Sequence, residues 1–339
     1  MYSEPISPSQ AIEEYLTARS NELADATVQN HRYRLKQFRL WCDEVEFTDM
    51  RELSGRETES FRLARESEGL APMTVRNHQM TLRVFVEWCE TQGYVKPGVS
   101  EKIRTPAVAK SDRTRDDKIS HETAQDMINS LSRFEYGSLR HVLIHVLYHT
   151  GMRTGAARAL DVDDFVLDPD PHLQVRHRPE TGTPLKRGID GERNVSIVDS
   201  ELVKALQDYR DRTRPEVTDE DGREPLFASR QGRIAKTTIQ AHSYRATQPC
   251  EWTGACPHDQ EVDACPYRSA DKASQCPSSI SPHALRRSAI TSHLDRDVPK
   301  DIVSGRTNVS RKRLDQHYDA RDEESKRQTR RRQLENMDI

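Results

Sequence analysis

The sequence predicts a mainly α-helical chain with a small antiparallel β-sheet, an α+β protein in two domains. Its 339 residues are about twice the usual domain size. Apolar residues recur at helical spacing through most of the length, and only around residues 173–198 does the period fall to two.

Charged residues make up 32% of the chain and hydrophobic ones 34%, so a modest core is expected. The formal net charge of −3 excludes a generic polyanion binder with an overall positive excess; any nucleic-acid surface must be local. No apolar run approaches the roughly 20 residues that span a bilayer, and the N-terminus is polar. A soluble, cytoplasmic protein without a membrane partner is the expectation.

In chain order, SPSQ (7–10) offers Ser as an N-cap, Pro at the first helical position and Gln two residues on, which starts a helix. An internal repeat follows. ATVQNHRYRLKQFRLWC (26–42) and MTVRNHQMTLRVFVEWC (73–89) superpose without a gap. The apolar members Val28, Leu35, Phe38 and Cys42, like Val75, Leu82, Phe85 and Cys89, fall on one stripe of a helix, which leaves the Cys as core residues. Polar residues shared by both copies suit two helices that present the same chemistry to a repeating target, and a helix fits the DNA major groove. Asn30, His31, Arg32 and Arg34, with Arg76, Asn77 and His78, are therefore the candidate DNA contacts of a helical domain over 1–96. A charged face that only keeps the hairpin in solution is the alternative.

Residues 97–118 carry prolines, a glycine and scattered charges without periodicity, and predict an extended linker. Helical patterning resumes after Ser120, and HVLIHVLYHT (141–150) predicts a buried helix. LQVRHR (173–178) and RNVSIV (193–198) alternate like strands and predict a β-hairpin with a flexible tip. PLFAS (225–229) predicts a further short strand. The second domain is placed at 119–339.

Three separated segments carry the chemistry. TGMRTGAARALDVDDF (150–165), SPHALRRSAITSHL (281–294) and VSGRTNVSRKRLDQHYD (303–319) occur in this order, with Tyr318 32 residues after Arg286. Ser281 and Pro282 start a helix, so His283 and Arg286 stand on one face at an N-terminus that favours anions. These segments resemble the tyrosine recombinases of the phage integrase type, and the departures described below resemble those of haloarchaeal integrases. The resemblance implies an N-terminal SAM-like core-binding domain and a C-terminal tyrosine-recombinase catalytic domain. It makes Arg153, His283 and Arg286 phosphate-site residues, Tyr318 the nucleophile, Lys186 the hairpin lysine, and Arg287 a neighbouring DNA contact.

The resemblance further implies a site-specific recombinase or integrase that acts on double-stranded DNA as a homotetramer on paired sites, through a 3'-phosphotyrosine and without a cofactor for catalysis. Two guanidiniums can hold the non-bridging oxygens of a phosphodiester and stabilise the transition state. A phenol with an ordinary pKa of about 10 needs a proton acceptor or a positive field. Two positions depart from the family pattern. Ala156 replaces a glutamate that would orient Arg153, with Asp161, Asp163 and Asp164 as substitutes, and Arg306 replaces a His or Trp as a phosphate donor. A DNA-binding protein of this fold that has lost cleavage and a type IB topoisomerase are the alternatives.

Four of the six cysteines, Cys250, Cys256, Cys265 and Cys276, lie within 27 residues ahead of His283. Thiolates suit a structural zinc ion, with His258 as an alternative ligand. Redox use and unliganded thiols stay open, because no C-x2-C pair is present. The basic stretch 325–333 is compatible with a helix that contacts a neighbouring protomer or DNA.

Overall fold

The computed structural model describes residues 4–109 and 117–318, together with 324, 327, 328, 331 and 335. The chain divides into two compact units, Met1–Arg115 and Asp116–Ile339. The predicted basic stretch 325–333 falls mostly outside the described residues.

The first unit is helical: α1 (Pro8–Ser20), α2 (Asp25–Glu44), α3 (Gly55–Ser67), α4 (Pro72–Gln92) and the short α5 (Val99–Lys102). α1 begins as its cap motif predicts, with the Ser7 side chain accepting from Gln10 N. The repeated segments are α2 and α4. Their stripes Leu35, Phe38, Cys42 and Leu82, Phe85, Cys89 are each no more than 1% exposed. Phe38 meets Phe61 of α3 edge-on at 5.3 Å, and Tyr15 of α1 meets Phe85 at 5.4 Å.

The linker expected over 97–118 is not extended throughout. α5 packs with α4, Ile103 and Val108 are buried, and Arg76 Nη1 donates to Pro106 O at 2.8 Å. Two apolar residues with somewhere to go outweigh the prolines and charges around them. Residues 110–116 lie outside the described set.

The second unit opens with α6 (His121–Phe134), capped by Ser120, and α7 (Leu139–Thr150), which is buried along nearly its whole length as its apolar run predicts. α8 (Thr154–Ala159) follows, then strands β1 (Phe165–Val166), β2 (His172–Val175) and β3 (Arg193–Ser196) in one antiparallel sheet of order β1-β2-β3. Then come α9 (Ser200–Asp208), the ribbon β4 (Ala228–Ser229) and β5 (Gly232–Arg233), α10 (Lys236–Ala246), α11 (Cys250–Thr253), α12 (Pro282–Asp295), α13 (Lys300–Thr307) and α14 (Arg311–His317). The core gathers Val142, Leu143, Leu147, Leu173, Leu202, Phe227 and Leu285 around α7.

The hairpin differs from its prediction. β2 ends at Val175 and β3 at Ser196, shorter than the alternating runs, and a two-residue β1 pairs Phe165 with Leu173. The connection is tied down instead of loose. Arg178 clasps Asp164 with two hydrogen bonds of 2.8 and 2.7 Å, Leu185 N donates to His177 Nδ1 at 2.9 Å, and Thr183 and Leu185 are buried. Side chain-to-backbone bonds replace the ladder there. Among the described residues no helix is long and apolar enough to cross a membrane.

Each unit buries a neutral histidine. His78 is 4% and His141 2% exposed, and burial pushes both pKa values down to about 4. Gly137 N donates to His141 Nδ1 at 3.2 Å, which requires the unprotonated ring. Below the ordinary histidine pKa of about 6.5 the unfolded chain takes up protons that the folded one refuses. Stability is therefore complete above that value and falls as the pH drops from about 6.5 towards 4. Thermal unfolding followed at about pH 7 and about pH 4.5 is expected to show a lower midpoint in acid. An unmoved midpoint contradicts the burial of these rings.

Candidate functional site

α13 ends at Thr307, and Asn308 caps it in the left-handed region at φ 52°. The last carbonyls of a helix have no intrahelical donor and sit at the negative end of its dipole. Here three consecutive ones each receive an arginine. Arg193 Nε donates to Arg306 O at 2.9 Å, Arg286 Nη2 to Thr307 O at 2.9 Å, and Arg153 Nη2 to Asn308 O at 3.1 Å.

The three side chains come from three elements. Arg153 is the N-cap of α8, just after Gly151 turns the chain out of α7 at φ 59°. Arg286 lies one turn into α12, whose N-cap Ser281 and Pro282 stand as the sequence predicts, and it also donates to Gly151 O. Arg193 opens β3. Gly151 packs so closely that a β-carbon there would meet Thr307 Cγ2 at 3.2 Å. α7, α8, α12 and α13 are thereby tied at one point.

The electrostatics are one-sided. Among the described residues none of these arginines has a carboxylate partner. Burial, then mutual repulsion with Arg153, lowers the Arg286 and Arg193 pKa values to about 10, and burial lowers that of Arg153 as well. All three stay protonated at neutral pH. Arg286 Nε and Arg193 Nη2 are buried without a hydrogen-bond partner. Cationic donors with spare capacity and no internal counter-charge suit an anion such as a phosphodiester.

Tyr318 joins this cluster from the end of α14. Its phenol interacts electrostatically with both Arg286 and Arg153. His283, one turn ahead of Arg286, is exposed. Protein atoms crowded around the ring desolvate it although its surface is open, and this, then Arg286, Arg153, Arg287 and Lys186, lowers its pKa, so the ring is neutral at neutral pH and can take a proton. Lys186 and Arg287 thus act on His283 through their charge. Lys186 is exposed on the β2–β3 connection.

Other expected residues lie elsewhere. Arg306 spends its guanidinium on backbone: Nη1 donates to Ser196 O at 2.6 Å and Nη2 to His149 O at 3.1 Å. There it lines a cavity of about 630 Å³ with His121, His145, His149 and His293. Among the described residues no substitute carboxylate pairs with Arg153. Asp161 binds Arg223 and Arg233, Asp164 binds Arg178, and Ala156 is buried.

In the first unit His78 is buried, and His31 accepts or donates through Nδ1 to the Tyr15 hydroxyl at 2.9 Å. The reason is in the spacing: His31 lies between Val28 and Leu35, and His78 between Val75 and Leu82, on the same stripe as the core. Arg34 Nη1 bonds Thr81 Oγ1 at 3.1 Å, and Arg76 is held by Pro106 O. Asn30 and Arg32 are exposed and Asn77 is half-buried.

Cys250, Cys256, Cys265, Cys276 and His258 line one cavity of about 200 Å³. Among the described residues no three His, Cys, Asp or Glu side chains are gathered as a ligand set for a metal ion, so the expected zinc site is not preformed.

Sequence reasoning missed Arg193 and Arg187, whose Nη1 reaches Asn308 Oδ1 at 3.4 Å. A signal for Arg193 existed. Period two puts it on the same strand face as buried Val195 and Ile197, a place where a cation needs a reason.

Compared with known proteins, residues 12–93 match the family model described as phage integrase, N-terminal SAM-like domain. The N-terminal domain of a phage integrase/site-specific recombinase from Haloarcula marismortui is 32% identical over 31% of this chain and 100% of that chain, with a TM-score of 0.30. The Tn1549 transposon integrase in complex with circular intermediate DNA is 14% identical, over 96% of this chain and 99% of that one, at a TM-score of 0.69. A lambda integrase dimer bound to a COC' core site is 12% identical, over 94% and 79%, at 0.66. The last two share the fold. No curated protein matches this chain.

Gly151→Ala tests the junction. A β-carbon at positive φ costs about 1–2 kcal/mol, and the contact with Thr307 adds to it. Denaturant unfolding is expected to show that loss, whereas Gly155→Ala, with nothing within 4 Å of the added carbon, is expected to be near neutral. Equal stability of the two variants refutes the close approach of α7 and α13.

Proposed function

The chain belongs to the phage integrase family of tyrosine recombinases, and from that premise we propose that it cleaves and rejoins duplex DNA at specific sites through a 3'-phosphotyrosine. The observation that carries this reading is the convergence of Arg153, Arg193 and Arg286, without carboxylate partners among the described residues, on the end of α13, with Tyr318 close enough to act electrostatically on Arg153 and Arg286.

Arg153 and Arg286 would each donate to a non-bridging oxygen of the scissile phosphate, where their charge stabilises the pentavalent transition state. The Tyr318 oxygen attacks phosphorus and its proton passes towards neutral His283. Lys186 protonates the departing 5'-oxygen. The phosphate bond energy is kept in the tyrosyl ester, so rejoining to a new 5'-hydroxyl needs no ATP.

Two assignments change from the sequence reading. Arg193 becomes the third phosphate donor through its free Nη2, and Arg306 holds α13 to the backbone of α7 and β3 instead of touching substrate. The first unit, Met1–Arg115, serves as the core-binding domain, with Asn30, Arg32 and Asn77 as its DNA contacts. Assembly on paired sites is proposed as a homotetramer.

A nicked suicide duplex carrying the element's own junction sequence tests the chemistry. A covalent protein–DNA band is expected, absent in Tyr318→Phe and reduced at least about 100-fold in rate in Arg286→Ala. Arg193→Gln is expected to slow cleavage by about 10-fold or more. Absence of a band from the intact chain on that duplex at every salt concentration favours a DNA-binding protein that has lost cleavage. Relaxation of supercoils without sequence preference favours the topoisomerase.

A further inference from the structure

The segment between α10 and α12 is poorly supplied with the means to hold a shape. Its longest regular element is the four-residue α11, and from Cys250 to Ser279 only Ala273 and Cys276 are buried. About thirty residues that bury so little cannot be held by apolar packing, and chains of this size rely on disulfides or metals. All four of its cysteines are unpaired.

Yet the segment is anchored. Ile280 N donates to Thr247 Oγ1 at 2.9 Å, Ser279 Oγ to Tyr244 O at 3.0 Å, and Gln248 Nε2 to Tyr267 O at 2.8 Å. Its four thiols, spread over 27 residues, surround one cavity of about 200 Å³. His258 borders the same cavity, but its Nε2 is engaged with Ser278 Oγ at 2.8 Å.

We propose that Cys250, Cys256, Cys265 and Cys276 bind one structural zinc ion as four thiolates across this cavity. Binding turns the side chains inward to the ion, since they are not gathered beforehand. Each thiol gives up its proton, so one zinc dication and four thiols yield a tetrathiolate complex of charge −2 and four released protons. A tetrahedral, redox-silent ion that prefers sulfur matches this donor set. The ion takes no part in strand cleavage. It staples the segment whose end, at Ser281, caps the helix bearing His283 and Arg286.

Elemental analysis of the purified full-length chain is expected to give about one zinc per chain. Cobalt(II) in its place is expected to show the intense visible bands of a tetrahedral thiolate site. Cys256→Ser and Cys265→Ser lower the stoichiometry, and His258→Ala leaves it unchanged. Should those serine variants fail to fold, the intact chain still decides: a chelator is expected to release the zinc, make the four thiols reactive and open residues 250–276 to protease. Zinc well below one equivalent with the four thiols freely titratable overturns the proposal, as do a disulfide among them or iron in place of zinc. These readouts are independent of DNA cleavage, so their failure and that of the recombinase reading are distinguishable.

Discussion

Three arginines on the C-terminal carbonyls of α13 hold the second unit's functional end together. Helix ends must find donors for their last carbonyls, and here each donor comes from a different part of the chain: Arg153 beside α8, Arg286 in α12 and Arg193 in β3. One local need of one short helix thus brings together residues more than a hundred positions apart. The arrangement also orients the guanidiniums. Each spends some N–H groups on backbone, and Arg286 Nε and Arg193 Nη2 are left without a partner.

The same tie orients Arg153 where the sequence reading expected a glutamate to do so. Position 156 is Ala, no carboxylate pairs with Arg153 among the described residues, and Asp161 and Asp164 are engaged by Arg178, Arg223 and Arg233. A carbonyl can steer as well as a carboxylate while leaving the positive charge of the arginine uncancelled. Preorganised donors of this kind need no rearrangement as charge builds on a reacting group.

Much of this was legible beforehand, and what was not has identifiable causes. Ser7, Ser120 and Ser281 cap their helices as expected because capping is decided by adjacent residues. The repeat gave α2 and α4, and its apolar stripe gave the core. His31 and His78 were misjudged by residue type although their spacing already put them on that stripe. Arg306 was assigned from a motif, which locates a backbone position and not the direction of a side chain. β1 has two residues, too few for any periodicity, and the tying of the β2–β3 connection depends on Arg178 and His177 meeting partners that no local pattern reveals. Convergence of distant cations is a property of the tertiary fold, and only the family resemblance anticipated part of it.

That Arg153, Arg193 and Arg286 have no carboxylate partner among the described residues has a consequence for the protein on its own. Like charges crowded in a partly dry space push one another apart, and the free molecule bears that tension at the junction of its helices. An anion held at that point would supply the neutralising half of the ensemble. In that sense the protein alone resembles a salt waiting for its other ion.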